Sequence, residues 1–500
     1  GGTTSAPFSS GENNVAVGYN ALAGFTTGTR VVAVGYNAGA SLTTGGQSVF
    51  IGYNAGDGTT DSYRNIAIGD NALSEDAGDD NIAVGLFALR TNTGGGNIGI
   101  GTRAGETITS GTRNIAIGWR TMWDLDAGSN SSTSEDNIAI GYAAMNGTWA
   151  NTRSDKNVAI GNYSMDGALN GANENVAIGY DTLGQITGDD ANVAIGYRAM
   201  SGGGGSQNIA IGADSMYQGP TGGTNYAIGR YTMMDCNAGS NALSSNSNIA
   251  IGHSALGGTW ADAASNFNIA IGHNAMDAGV NGALYNMAMG YAALGALTEG
   301  DSNVAIGHGA GTALTTGLGN ITIGRAAGDA MTTNSGVIAI GYYAGEDINN
   351  ANGNYSVIIG YEAGGNMTSA SPNHLMGYRS GYSITTAGLN VTNGYETLRY
   401  NETGYGNVAV GYYAAQYVTS SLNVAIGMEA GRGKSSAPYT SGESNISIGT
   451  YANHTVSTGK RNVSIGGRAG YAMETGTDNT LLGNNAGYNV KHAVGATIIG

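Results

Sequence analysis

The chain has 500 residues, 88 of them glycine and four proline; 11% are charged, and 19 basic against 35 acidic side chains leave a formal net charge of −16. This glycine load is too high for an ordinary globular core, and the pattern is too regular for a disordered linker. The acidic balance argues against nucleic acid or an anionic membrane surface as a partner, and no apolar run approaches the length of a membrane span, so no membrane insertion is expected.

From Asn14-Val15-Ala16-Val17-Gly18 onward a short apolar strand runs into a glycine, and the motif returns about every seventeen residues until Thr497-Ile498-Ile499-Gly500, 28 times in all. Such a period is the signature of a solenoid, in which each coil stacks on its neighbours and the whole chain 1–500 is one repeat array. The predicted fold class is all-β: a parallel β-solenoid, a left-handed β-roll of about 28 coils. In nearly every coil the residues one and three before the glycine are β-branched, as in Ile115 and Ile117 or Val193 and Ile195. That period of two reads as a strand with these side chains in the core. Seven residues after the glycine a second aliphatic recurs (Phe25, Leu42, Ile108, Leu314, Met473), which predicts a second short strand returning to the same interior. Thr-Thr-Gly segments then close the coil.

Asparagine stands four residues before the glycine in 23 of the 28 coils, among them Asn65, Asn137, Asn208, Asn303 and Asn462. Stacked one strand spacing apart, these amides predict a hydrogen-bonded column along the solenoid. The alternative is that each merely turns the corner in left-handed backbone. Tyrosine directly follows the glycine in 12 coils, including Tyr36, Tyr142 and Tyr197, and predicts a structural aromatic ladder on the surface.

The residue two before the glycine is alanine in 18 coils and is never charged. With its neighbours assigned to the core it should face solvent, and an uncharged stripe of that length calls for a cover. Identical chains around a common axis, as a trimer, supply one; the alternative is the second layer of a flattened single-chain roll.

Two longer periods overlie the coil. The coil spacings after Gly118 recur after Gly229, an offset of 111 residues, so 118–229 and 229–340 read as an internal duplication; inserted Gly-Thr-Trp-Ala loops match at 147–150 and 258–261. Residues 1–69 match 432–500 at an offset of 431, with Ser5-Ala6-Pro7 returning as Ser436-Ala437-Pro438. The expectation from that larger period is a segment of a longer fibre protein.

Residues that carry chemistry are sparse, and no catalytic residue, metal ligand or cofactor is predicted. No Ser/His/Asp arrangement stands out, and the glycines around 99–101 and 307–311 lack the following helix that a phosphate loop needs. His253, His273 and His308 occupy the tyrosine slot without a recurring third ligand. Asp124, Asp126 and Glu135 imitate a calcium loop but have Ser129 where glycine is required, and Asp79-Asp80 and Asp189-Asp190 read as solvated turns. Cys236 reads as a buried small hydrophobe. Trp149 and Trp260 sit at equivalent points of the inserted loops, which should project, so they and Trp123 are the candidate binding contacts; packing of the loop on the solenoid is the competing reading.

The run Asn-Val-Ala-Ile-Gly-Tyr-x-Ala at 192–199, with counterparts such as Asn65 to Gly69 and Asn407 to Gly411, resembles the head repeat of trimeric autotransporter adhesins and related repeats of phage and algal-virus fibres. The resemblance implies a trimeric left-handed β-roll displayed outside the cell or virion, binding a cell-surface glycan or protein receptor. The neck, stalk and anchoring barrel of those adhesins do not appear in these residues. A structural and adhesive fibre without enzymatic activity is therefore the expected function, against a monomeric solenoid filament or a polysaccharide-degrading tailspike. A tailspike would cluster acids on one face of consecutive coils, and ice binding would need an unbroken threonine array; neither pattern is found.

Overall fold

A computed structural model of the chain describes residues 10–123, 133–149, 152–236, 244–261, 263–349, 351–436 and 438–500. It is an all-β parallel β-solenoid in which every strand is three residues long. The chain divides into two compact units, Gly1–Ala250 and Ile251–Gly500. The first holds thirteen strands, from β1 (Val15–Val17) to β13 (Tyr226–Ile228), and the second holds fourteen, from β15 (Ile269–Ile271) to β28 (Thr497–Ile499); β14 (Ile249–Ile251) falls at the division. Within each unit successive strands pair in parallel without a register shift, as where Val193, Ala194 and Ile195 lie beside Ile209, Ala210 and Ile211.

The strands face the opposite way to the sequence expectation. From Val32–Val34 to Thr480–Leu482 the middle residue of each described strand is the buried one, and the flanking β-branched residues are half-buried or exposed. Ala194, Ala210 and Ala305 are fully enclosed, whereas Ile211 is 36% and Ile228 40% exposed. Volume explains the inversion, because the interior is already occupied from the other arm. Leu or Met four residues after the glycine (Leu73, Met145, Met200, Leu294) and the aliphatic at seven (Leu42, Ile108, Leu314) are buried there. Only a methyl group remains for the strand side to contribute.

The glycine that ends each strand is required twice over. Gly196 has φ +134°, and a Cβ on it would lie 2.6 Å from the carbonyl oxygen of Gly212 in the next coil. Glycine alone accepts both the conformation and the close approach. Beyond it, residues that are not glycine also take left-handed backbone, for example Arg198 (φ 51°) and Met200 (φ 51°). Each such residue costs about 1–2 kcal/mol. The geometry lets the Arg198 amide donate to Tyr180 O in the preceding coil (2.9 Å) and the Met200 amide to Ser215 O in the following one (3.0 Å), offsetting that cost.

Among the described residues the predicted second strand is not formed, and the returning arm makes isolated bridges, such as Gly46 with Tyr63 and Val418 with Thr440. Threonine side chains supply part of the stitching instead: Thr43 Oγ1 donates to Thr60 O (3.0 Å) and Thr315 Oγ1 to Thr332 O (2.9 Å). A side chain that satisfies a neighbouring carbonyl competes with a continuous backbone ladder.

Candidate functional site

The asparagine column lies inside the coil. Asn137, Asn208, Asn65 and Asn462 are fully buried, and Asn303 nearly so. Where asparagines follow one another, the Oδ1 of one accepts from the next, as where Asn157 Nδ2 donates to Asn137 Oδ1 (3.1 Å), Asn225 Nδ2 to Asn208 Oδ1 (3.2 Å) and Asn479 Nδ2 to Asn462 Oδ1 (2.9 Å). The Asn81 backbone amide likewise donates to Asn65 Oδ1 (2.8 Å). Each amide also donates to a carbonyl in the turn of the next coil, Asn303 Nδ2 to Gly317 O at 2.8 Å. Burial makes these bonds consequential, since an unsatisfied amide there would carry its full desolvation cost.

The residue after the glycine builds an exposed aromatic edge. In the first unit Tyr36 stacks between Tyr19 (5.2 Å) and Tyr53 (5.1 Å), Tyr142 stacks on Trp119 (4.8 Å), and Tyr197 on Tyr180 (5.6 Å). In the second unit His253, His273, Tyr291 and His308 form one stack, and Tyr342, Tyr361, Tyr378, Tyr395 and Tyr412 another. Among the described residues, no group of three or more His, Cys, Asp or Glu side chains is placed to hold a metal ion.

The tryptophans correct the expectation that the inserted loops carry exposed contacts. Trp149 and Trp260 are fully buried, and Trp260 Nε1 donates to Leu256 O (3.2 Å). The enclosed Trp149 Nε1 has no hydrogen-bond partner among the described residues. Trp123 is half-buried, donates from Nε1 to Glu106 Oε2 (2.9 Å), and lies under the Arg120 guanidinium (4.4 Å). The insertion between Gly427 and Gly449 also returns to the body, where Tyr439 packs on Tyr400 at 5.2 Å and Thr440 is buried. Asp124, Asp126 and Ser129 lie outside the described residues.

Cys236 is buried, and that burial, with Asp235 adding to it, pushes its thiol well up, which makes it a poor nucleophile. Asp79 and Asp80 pair with Arg64 (3.3 and 2.5 Å) at the surface. Asp189 is raised by burial and by Asp190, which itself accepts from the Asn173 amide (2.7 Å).

One edge of the second unit carries a relay that the sequence reading did not single out. Arg399 pairs with Glu396 (2.6 Å), and the other Glu396 oxygen accepts from Gln416 (2.6 Å). Gln416 Oε1 accepts from Arg432 (3.0 Å), and Glu429 takes both Arg432 (2.7 Å) and His454 (2.8 Å). Arg432 also lies over the Tyr413 ring (5.0 Å), and a hydrogen bond to Tyr412, with burial, pushes the Tyr413 hydroxyl up to about 12. These side chains occupy the second and fifth residues after successive glycines. That fixed offset was the available signal, masked because both slots vary between polar and small residues elsewhere.

The outward face of the strands is a further surface, half-buried to exposed along the described strands. Its two rows are Val, Ile or Met almost throughout; Tyr226, His374, Asn393, Thr480 and Thr497 are among the few departures, and no Lys, Arg, Asp or Glu occurs in either row. No helix among the described residues is long and apolar enough to cross a membrane. Neither protein-family models nor curated protein sequences give a match to this chain.

Proposed function

We propose that the chain is a structural segment of an extracellular or virion-surface fibre, that it assembles as a homotrimer through the outward Val/Ile face of its sheet, and that it serves reach and surface attachment without catalysis. The observation that carries this reading is the uncharged face itself. At about a third of each side chain's surface, two residues per strand over the thirteen strands of the first unit expose on the order of 1,000 Å², against about 800 Å² per partner in a stable interface. A monomer seldom leaves so large an apolar patch bare. A second copy of the chain is the cover that matches the face coil by coil, because it alone presents the same spacing with the same side chains. Three narrow faces meeting around an axis enclose one another and leave no apolar row in water.

The stacked tyrosines and the polar relay are formed by residues outside those two rows and supply the surface for attachment. Native mass spectrometry or sedimentation equilibrium on the intact protein tests the assembly: a mass of three chains is expected, and a single-chain mass at micromolar concentration would overturn it.

A further inference from the structure

The second unit contains two adjoining concavities that share Tyr451 and Arg468. One, of about 360 Å³, is lined by Glu429, Arg432, Tyr451, His454, Arg468 and the paired rings of Tyr471 and Tyr488. The other, of about 230 Å³, adds Thr450, Asn484 and Asn485. We propose that this groove binds an acidic saccharide, a sugar chain bearing a carboxylate or a sulfate, with the acid group on Arg468 and the sugar ring on Tyr451. The proposal rests on the attachment role above and gives it a place and a ligand class.

Three observations lead to it. First, the arginines in the groove are in different states. Arg432 is held by Glu429 and Gln416, whereas Arg468 is exposed, no carboxylate pairs with it among the described residues, and its charge lies only 6.0 Å from the Tyr451 ring centre. In a chain of net charge −16 the groove is locally cationic, with two arginines against one glutamate. A guanidinium is suited to planar or tetrahedral oxyanions.

Second, Tyr451 is turned out of the ring stack. His454, Tyr471 and Tyr488 are parallel (5.1 and 4.9 Å between centres, both at 4°), so their faces cover one another. Tyr451 meets His454 at 68° and Tyr471 at 72°. Its face is free of a parallel partner and can take the apolar face of a sugar ring beside a cation.

Third, the remaining lining mixes acceptors and donors: the Glu429 carboxylate, tyrosine hydroxyls and the amides of Asn484 and Asn485. Sugar hydroxyls need both kinds.

The test is calorimetric titration of the intact protein with three probes: galacturonate oligosaccharides for the carboxylate, heparin-derived oligosaccharides for the sulfate, and dextran oligosaccharides as the neutral control. At least one acidic probe is expected to bind ten times or more tightly than dextran, and whichever binds identifies the acid group. Arg468→Ala and Tyr451→Ala should each weaken it at least tenfold, while Arg461→Ala, which removes an exposed arginine paired with Asp478 outside the groove, should leave it unchanged. Unchanged melting of Arg468→Ala confirms folding, and Arg468→Gln serves if the alanine variant is unstable. No acidic probe binding, dextran binding equally well, or equal effects of Arg468→Ala and Arg461→Ala would overturn the proposal. Arg468 and Tyr451 belong to neither outward row of the strands, so a trimeric mass with no saccharide binding removes this inference alone, and a single-chain mass with saccharide binding removes only the assembly.

Discussion

Gly56 lies against Phe50: a Cβ on Gly56 would sit 2.3 Å from Phe50 Cδ1, and one on Gly39, in the preceding coil, 2.8 Å from Phe50 Cδ2. Phe50 fills the strand slot that is alanine in most coils, and the two glycines fill the slot that holds Leu or Met in coils such as those of Leu73 and Met145. The same exchange recurs where Leu375 lies between Gly364 and Gly381, and Leu481 between Gly470 and Gly487. In these coils the interior space is shared between the strand and the residue four after the glycine.

Phe50→Ala should therefore lose about 3–5 kcal/mol through the cavity it leaves. Gly56→Leu alone should also destabilise, by overpacking. The double variant should recover much of the loss, because it recreates the Ala67–Leu73 arrangement and Leu73 accepts left-handed backbone (φ 53°) at the equivalent position. A double-mutant cycle from denaturant unfolding checks this; additive losses would mean that the two slots do not share one space.

The facing of the strands separates two neighbouring substitutions. Ala194→Asp places a carboxylate in the closed interior and should unfold its coil or cost several kcal/mol. Ile195→Asp places the charge on the outward face and should leave each chain folded, with its circular dichroism retained, while lowering the assembled mass. Equal effects of both on folding would contradict the inward position of Ala194.

In the asparagine column, Asn303 donates to Asn286 Oδ1 (3.0 Å) and Gly317 O (2.8 Å) and accepts from the amide and side chain of Asn320 (3.0 and 2.9 Å). Asn303→Leu leaves those buried partners unmet and should cost on the order of 3 kcal/mol, at about 1–3 kcal/mol per orphaned group. Asn303→Ser should cost less, because Ser48 already shows that a hydroxyl can accept the next coil's amide (Asn65 N–H to Ser48 Oγ, 3.1 Å). Equal melting of the two variants would show that the acceptor is immaterial.

Asp166 gives a pH signature. Burial, and then the charge of Asp181 in the next coil, raise its carboxyl from 3.8 to about 6. The folded state therefore binds a proton more readily than the unfolded chain, and stability falls as the pH rises from about 4 through about 6. Asp166→Asn should remove this fall and melt higher than the natural protein at pH 7. Parallel melting curves for the two proteins between pH 4 and 7 would show that the carboxyl is not perturbed.

Much of the fold is legible in the residues. The glycine spacing locates every strand, because each glycine needs a φ and a close approach that no other residue permits, and the asparagine column follows from stacking identical coils. The Arg432–Glu429–His454 relay and the Arg468 groove were not legible, since they join side chains of neighbouring coils, Glu429 with His454 25 positions on and Tyr451 with Arg468 17 positions on, through slots that change character along the chain. Whether Trp149 and Trp260 contact a partner or pack on the solenoid stayed open in the sequence, because loop length says nothing about where a loop folds back; both are buried. The sequence by itself determined the period, the parallel stacking and the polar column. Tertiary structure alone decided which side of each strand is the inside: Val-Ala-Ile is apolar on both faces, so polarity carries no signal, and the choice falls to the space that Leu, Met and the second aliphatic leave, which admits alanine and turns the larger residues out.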